Sequence, residues 1–93
     1  MKSQNELFIV AAEKARIRSG VKVADITKSW KNKWREESYK KVCLFHLELY
    51  EESILFDATI QAQFFGLNNS MINQRLSAAR DFRNNNDSTV WRS

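Results

Sequence analysis

Between residues 69 and 83 the chain carries Asn69, Ser70, Asn73, Gln74, Ser77 and Arg80 at spacings that put them on one side of a helix. Asn and Gln can make paired hydrogen bonds to the edge of adenine, Arg can do so to guanine, and Ser is adaptable. Lys and Glu, which dominate ordinary exposed helix faces, are nearly absent from this side. The competing explanation is a solvated polar face. A helix entering the major groove by its N-terminal end reaches bases with its early residues first. Asn69, Ser70, Asn73 and Gln74 are therefore the candidate base-reading residues, and Arg80 and Arg83, further along, are expected to meet phosphate.

A second constellation lies upstream. Lys28 to Lys41 reads KSWKNKWREESYKK, with six basic residues against two acidic ones, two tryptophans and a tyrosine. Lys28, Lys31, Lys33 and Arg35 are candidate contacts to a nucleic-acid backbone, and the aromatic rings could stack on bases. The alternative is a helix junction whose tryptophans are core and whose lysines are solvated. Trp30 and Trp34 continue the Val23–Ile26 stripe, which favours the core for both. His46 and Cys43 stand three residues apart on an apolar helix face, and nothing else in the sequence completes a metal site or a nucleophile–base pair around them. Glu51 and Glu52 are adjacent, so a helix points them about 100° apart, away from a shared site. There is no glycine-rich phosphate loop. No enzyme activity, metal, cofactor or small-molecule ligand is expected.

The polar face needs an element to hold it, and residues 58–76, ATIQAQFFGLNNSMINQRL, supply one. Ala62 is small where a second helix must cross closely. Gly66 can take a left-handed backbone conformation that strains other residues. Leu67 is expected to plug the core beneath the turn, and Ile72 and Leu76 to hold the second helix down. With this spacing the stretch resembles the helix-turn-helix DNA-binding superfamily, of the small bacterial, phage or plasmid regulator type. The resemblance covers residues 58–76 only, and an ordinary helical hairpin could produce it. It implies sequence-specific binding of double-stranded DNA; because a monomer of this size reads few base pairs, a symmetric homodimer on a palindromic site is expected. Two other functions stay open: a protein-binding adaptor or inhibitor without nucleic-acid contact, and a single-strand or RNA binder that uses the Trp/Lys stretch.

Composition bounds these readings. Ninety-three residues with two glycines and no proline suit one all-α domain, expected as a bundle of four to five helices over residues 1–83, with the helix-turn-helix at about 58–83. Residues 84–93, with three consecutive asparagines, read as a polar tail, although Trp91 within it calls for a docking site. The net charge of +4 favours an anionic partner. It is unevenly spread: residues 1–45 hold eleven Lys/Arg against five Asp/Glu, and residues 46–93 hold four against six. The basic N-terminal half must then supply much of any attraction to phosphate. A single cysteine and the lack of a long apolar run predict a cytoplasmic protein that does not enter a membrane.

Ser3 and Glu6 form a capping-box pattern for a first helix that Gly20 should end. A second helix is expected from Val23 to Trp34. The third, Glu36 to Glu52, is apolar on more than one side and so is expected to be central or to face another subunit. Asp57 is the expected N-cap of a fourth helix, Ala58 to Phe65, and a fifth should start near Asn69 with Ile72, Leu76, Ala79 and Phe82 turned inward.

Overall fold

A computed structural model describes residues 3–31, 36–53 and 55–84. It is all-helical, in the order α1 (Gln4–Ser19), α2 (Val23–Ile26), α3 (Glu37–Glu52), α4 (Ala58–Phe65) and α5 (Asn69–Asn84). The ends of α1 are set by local chemistry. Ser3 Oγ accepts the Glu6 amide at 3.2 Å, and Gly20 stops the helix at φ 73° while its amide bonds Arg16 O. Phe8, Ala11, Ala15 and Ser19 form the buried stripe, three or four residues apart as a helix requires.

The second helix is one turn, not the three turns expected to Trp34. The Asp25 carbonyl explains the stop. It accepts the Thr27 and Lys28 amides and the Trp30 indole Nε1–H at 3.1 Å, so the chain is folded back before a longer ladder can form. Val23, Ile26 and Thr27 are β-branched and weak helix formers, and Lys22 offers no side-chain cap. Val23 is exposed and Ile26 buried, so the expected stripe through Trp30 does not exist as a helix face. Trp30 is half-buried and packs against both core clusters. Trp34 and Trp91 lie outside the described residues.

Helix α3 runs through the centre, with α1 packed on one side and α5 on the other. Eight of its residues are buried: Tyr39, Val42, Cys43, Leu44, Phe45, His46, Leu47 and Leu49. Val42, Phe45 and Leu49 join Phe8, Ala11, Ala15, Val21, Ile26 and Phe56 in one cluster. Tyr39, Cys43 and Leu47 join Ala62, Ile72, Leu76, Ala78 and Ala79 in the other. Helix α3 is central, and its apolar residues are used inside the fold rather than left for a second subunit. At the surface Glu48 lies between two arginines from the flanking helices, 3.8 Å from Arg18 and 3.2 Å from Arg83. None of the helices among the described residues is long and apolar enough to cross a membrane.

Asp57 Oδ1 accepts the Ile60 amide at 3.0 Å and caps α4. Gly66 ends it at φ 69°, and the amides of Gly66 and Leu67 both bond Ala62 O, which satisfies the carbonyl in the manner of a left-handed C-cap. Residues 66–68 then connect α4 to α5. A Cβ on Gly66 would meet nothing within 4 Å, so the glycine is needed for its backbone angle alone. Gly66→Ala is expected to lower the unfolding free energy by about 1–2 kcal/mol, read as a shifted urea midpoint. An unmoved midpoint would mean that the turn adopts another conformation without strain. The adjacent phenylalanines find separate cover. Phe64 stacks on Phe8 with ring centroids 3.8 Å apart, and Phe65 meets Phe45 and His46 edge-on.

Candidate nucleic-acid interface

Asn68 caps α5 by accepting the Met71 amide on its side-chain oxygen at 2.8 Å. Ile72 and Leu76 are buried, as are Ala62 on α4 and Ala79 on α5, and Leu67 is half-buried against both clusters. With Ile72, Leu76 and Ala79 inside, Asn69, Ser70, Asn73, Gln74, Ser77 and Arg80 are all exposed. Four of the five scaffold residues thus sit in or against the core, and the fifth is the turn glycine.

The exposed face has two edges. On one, Asn69 and Asn73 line a cleft with Tyr50, Asp57, Thr59 and Arg80. Here the Asn69 amide is already engaged, donating to Thr59 Oγ1 at 2.9 Å, and the Arg80 guanidinium carbon lies 5.8 Å from the Tyr50 ring centroid. Asp57 places an acid on this edge. On the other edge Gln74 and Met71 share a cleft of about 140 Å³ with Lys28, Ser29, Trp30, Tyr39 and Arg75. Lys31, also exposed, lines an adjoining cleft with Lys28, Ser29, Trp30 and Glu36. The chain turn after α2 therefore brings Lys28 beside Gln74, although they are far apart in sequence. Lys33 and Arg35 lie outside the described residues.

Trp30 is anchored rather than free. Its indole bonds Asp25 O, its ring meets Tyr39 edge-on at 5.6 Å, and the Lys28 ammonium sits 4.3 Å above it. Arg83, expected at phosphate, is instead held by carboxylates. Its guanidinium bonds Glu51 at 2.9 Å and Glu48 at 3.2 Å, and the Glu51 hydrogen bond, outweighing partial burial, holds its pKa above the usual arginine value. With two carboxylates around it, Arg83 is the least suited of the candidate residues to meet another anion.

The least expected feature lies directly beneath the polar face. Arg75, only 2% exposed, is on the inward side of α5. Its Nη1 donates to Ile26 O at 2.8 Å and to His46 Nε2 at 3.0 Å. Since that nitrogen accepts, the His46 proton is on Nδ1, which donates to Gln61 Oε1 at 2.8 Å. Gln61 Nε2 in turn donates to the carbonyls of Phe56 at 2.8 Å and His46 at 3.2 Å. One chain of bonds so joins α5, the end of α2, α3, α4 and the 53–57 junction. Burial, more than the nearby Arg75 charge, pushes the His46 pKa down to about 3 against the Gln61 hydrogen bond. Burial likewise pushes Tyr39 up to about 12 and lowers Arg75. His46 is thus a packing residue, as its apolar face implied, with both ring nitrogens taken. Arg75 and Gln61 escape a search for apolar periodicity because they are polar. The signal for Arg75 was its position: Ile72, Arg75 and Ala79 recur at three and four residues on the stripe that Leu76 shares.

Compared with known protein families, with curated proteins and with solved structures, the chain matches none of them.

Proposed function

We propose that α4 and α5 act as a helix-turn-helix that reads double-stranded DNA, in a small regulator of transcription or of plasmid or phage maintenance. The observation that carries this reading is the juxtaposition of Lys28 and Gln74 in one cleft. It gives a polar, lysine-poor helix face a basic border that the local sequence of α5 lacks. Ser70, Asn73 and Gln74 are exposed, and their side chains make no hydrogen bond among the described residues, so they remain available to base edges. Asn69 shares its amide with Thr59 and joins them through its remaining groups. Lys28, Lys31 and Arg80 are the described cations on the rim, and Lys33 and Arg35 continue the basic segment in sequence.

The test is selection from a random duplex library at moderate salt, followed by side-chain removal. A single motif should emerge. Asn73→Ala or Gln74→Ala should relax one base position each at a cost of about 1–3 kcal/mol. Lys28→Ala or Lys31→Ala should weaken every sequence alike and reduce the salt slope by about one. No enriched motif, together with binding untouched by all four changes, would reject the reading.

One observation favours a protein contact in addition. Helix α1 leaves Leu7, Ile9, Val10 and Ile17 exposed, on a helix apolar well beyond its buried stripe. If the protein pairs on a palindromic site, α1 is the better subunit contact, since α3 is enclosed. The anchoring of Trp30 weighs against single-strand stacking on that ring.

A further inference from the structure

The cleft between the 28–30 segment and α5 has a composition that the reading face alone does not require. Its polar lining residues are Lys28, Ser29, Gln74 and Arg75, beside Tyr39, with no carboxylate among them. Arg75 meets no carboxylate among the described residues: its partners are the Ile26 carbonyl, a neutral imidazole and the side chain of Tyr39, all of them uncharged at neutral pH. Its Nε–H is buried and has no hydrogen-bond partner. A buried cation without a counter-ion is costly, and an unmade bond on the same group adds to that cost. No ion pair joins Arg75 to Asp25, the acid next to its Ile26 partner, or to any other acid among the described residues. Glu36 lines the neighbouring cleft with Lys31, and Glu48 and Glu51 are paired to Arg83. Ordinary organic ligands fill pockets of about 300–1,000 Å³, whereas this cleft encloses about 140 Å³, which suits a single oxyanion group.

We propose that this cleft binds one phosphoryl group, with Arg75 as the buried cation, Lys28 as the cation at the rim, and Ser29 and Gln74 as neutral donors. The occupant is either a backbone phosphate of bound duplex or free phosphate. Only the first of these rests on the DNA reading above. In the first case Lys28 and Arg75 fix the register of α5 on the duplex while Asn73 and Gln74 reach the bases, a division of labour common at protein–DNA contacts.

The experiment is a titration of the full chain with sodium phosphate, followed by ¹H–¹⁵N NMR, with sodium chloride adjusted to constant ionic strength. Saturable shifts confined to Ser29, Met71 and the Gln74 side-chain amide are expected. Lys28→Gln, an exposed change that leaves the core intact, should weaken them about tenfold, the loss of one charge-assisted bond. Shifts that never saturate, spread over all surface lysines or ignore Lys28→Gln would overturn the site. Repeating the titration with the selected duplex bound separates the two occupants. Loss of the phosphate response assigns the cleft to a backbone phosphate, and its persistence assigns it to free phosphate. If no duplex binds but the phosphate response and its Lys28 dependence remain, the DNA reading fails and the site stands.

Discussion

Gln61→Leu is expected to lower the unfolding free energy by about 3 kcal/mol, and with it the melting temperature by about 12–24 °C. Gln61 is fully buried, and its amide serves three groups on other elements: the His46 ring N–H, the His46 carbonyl and the Phe56 carbonyl. Leucine has a similar volume, so no cavity opens and the gain from an apolar side chain partly offsets the loss. What remains is a set of buried polar groups stripped of partners, each worth about 1–3 kcal/mol when left unmade. The His46 carbonyl costs least, because it also lies within the α3 ladder. Gln63→Leu, on the exposed side of the same helix, is the control and should stay within about 0.5 kcal/mol of the parent. Urea unfolding of both variants reads the difference. A loss at Gln61 no larger than at Gln63 would mean that the network relaxes onto water and does not hold the helices together.

The same network marks where the sequence was legible and where it was not. Helix ends with a chemical signature were readable: Ser3, Gly20, Asp57 and Gly66 each act through a local backbone bond that a neighbour three or four residues away completes. The central position of α3 was readable too, since apolar residues all round a helix leave it no other place. The failure at α2 is of another kind. The Val23–Trp34 stripe matched a helical period, but the helix stops at Ile26, where the Asp25 carbonyl takes the Thr27 and Lys28 amides and, from outside the helix, the Trp30 indole. A tertiary bond of that sort has no signature in spacing. Burial of Arg75 and Gln61 depended on a partner far along the chain, His46, which periodicity sees only as one more residue of an apolar face. For the candidate site, the outward face of α5 followed from its inward stripe. The cleft that unites Lys28 with Gln74 did not, because it depends on how the 27–31 segment returns to α5. Arg83 likewise carried no sign in sequence of the two carboxylates on α3 that hold it.

Acid should unfold this protein through its one histidine. In the folded state the neutral ring is matched on both nitrogens: Nδ1–H donates to Gln61 and Nε2 accepts from Arg75. A proton on Nε2 would meet an N–H it now accepts from and would put a second cation beside a buried guanidinium. The folded pKa is accordingly pushed down to about 3 from 6.5, while the unfolded chain takes up the proton near the ordinary value. Because the unfolded state binds more protons between these values, stability rises with pH across that window. The contribution is full above about pH 6.5 and is lost at about 1.4 kcal/mol per pH unit as the pH falls toward 3. Integrated from pH 7 to 5, the loss is about 2 kcal/mol, in a range where no other side chain of ordinary pKa changes charge. His46→Gln can keep the geometry, with its carbonyl accepting from Arg75 and its amide donating to Gln61, but it has no proton to gain. The variant should be less stable than the parent at pH 7 and nearly flat from pH 7 to 5, so that the two unfolding curves converge on acidification. A parent as flat as the variant would show that His46 takes its proton in the folded state as readily as in the unfolded one. The bond from Arg75 would then not fix the neutral ring, and the seat of α5 on α3 would have to rest on its apolar contacts alone.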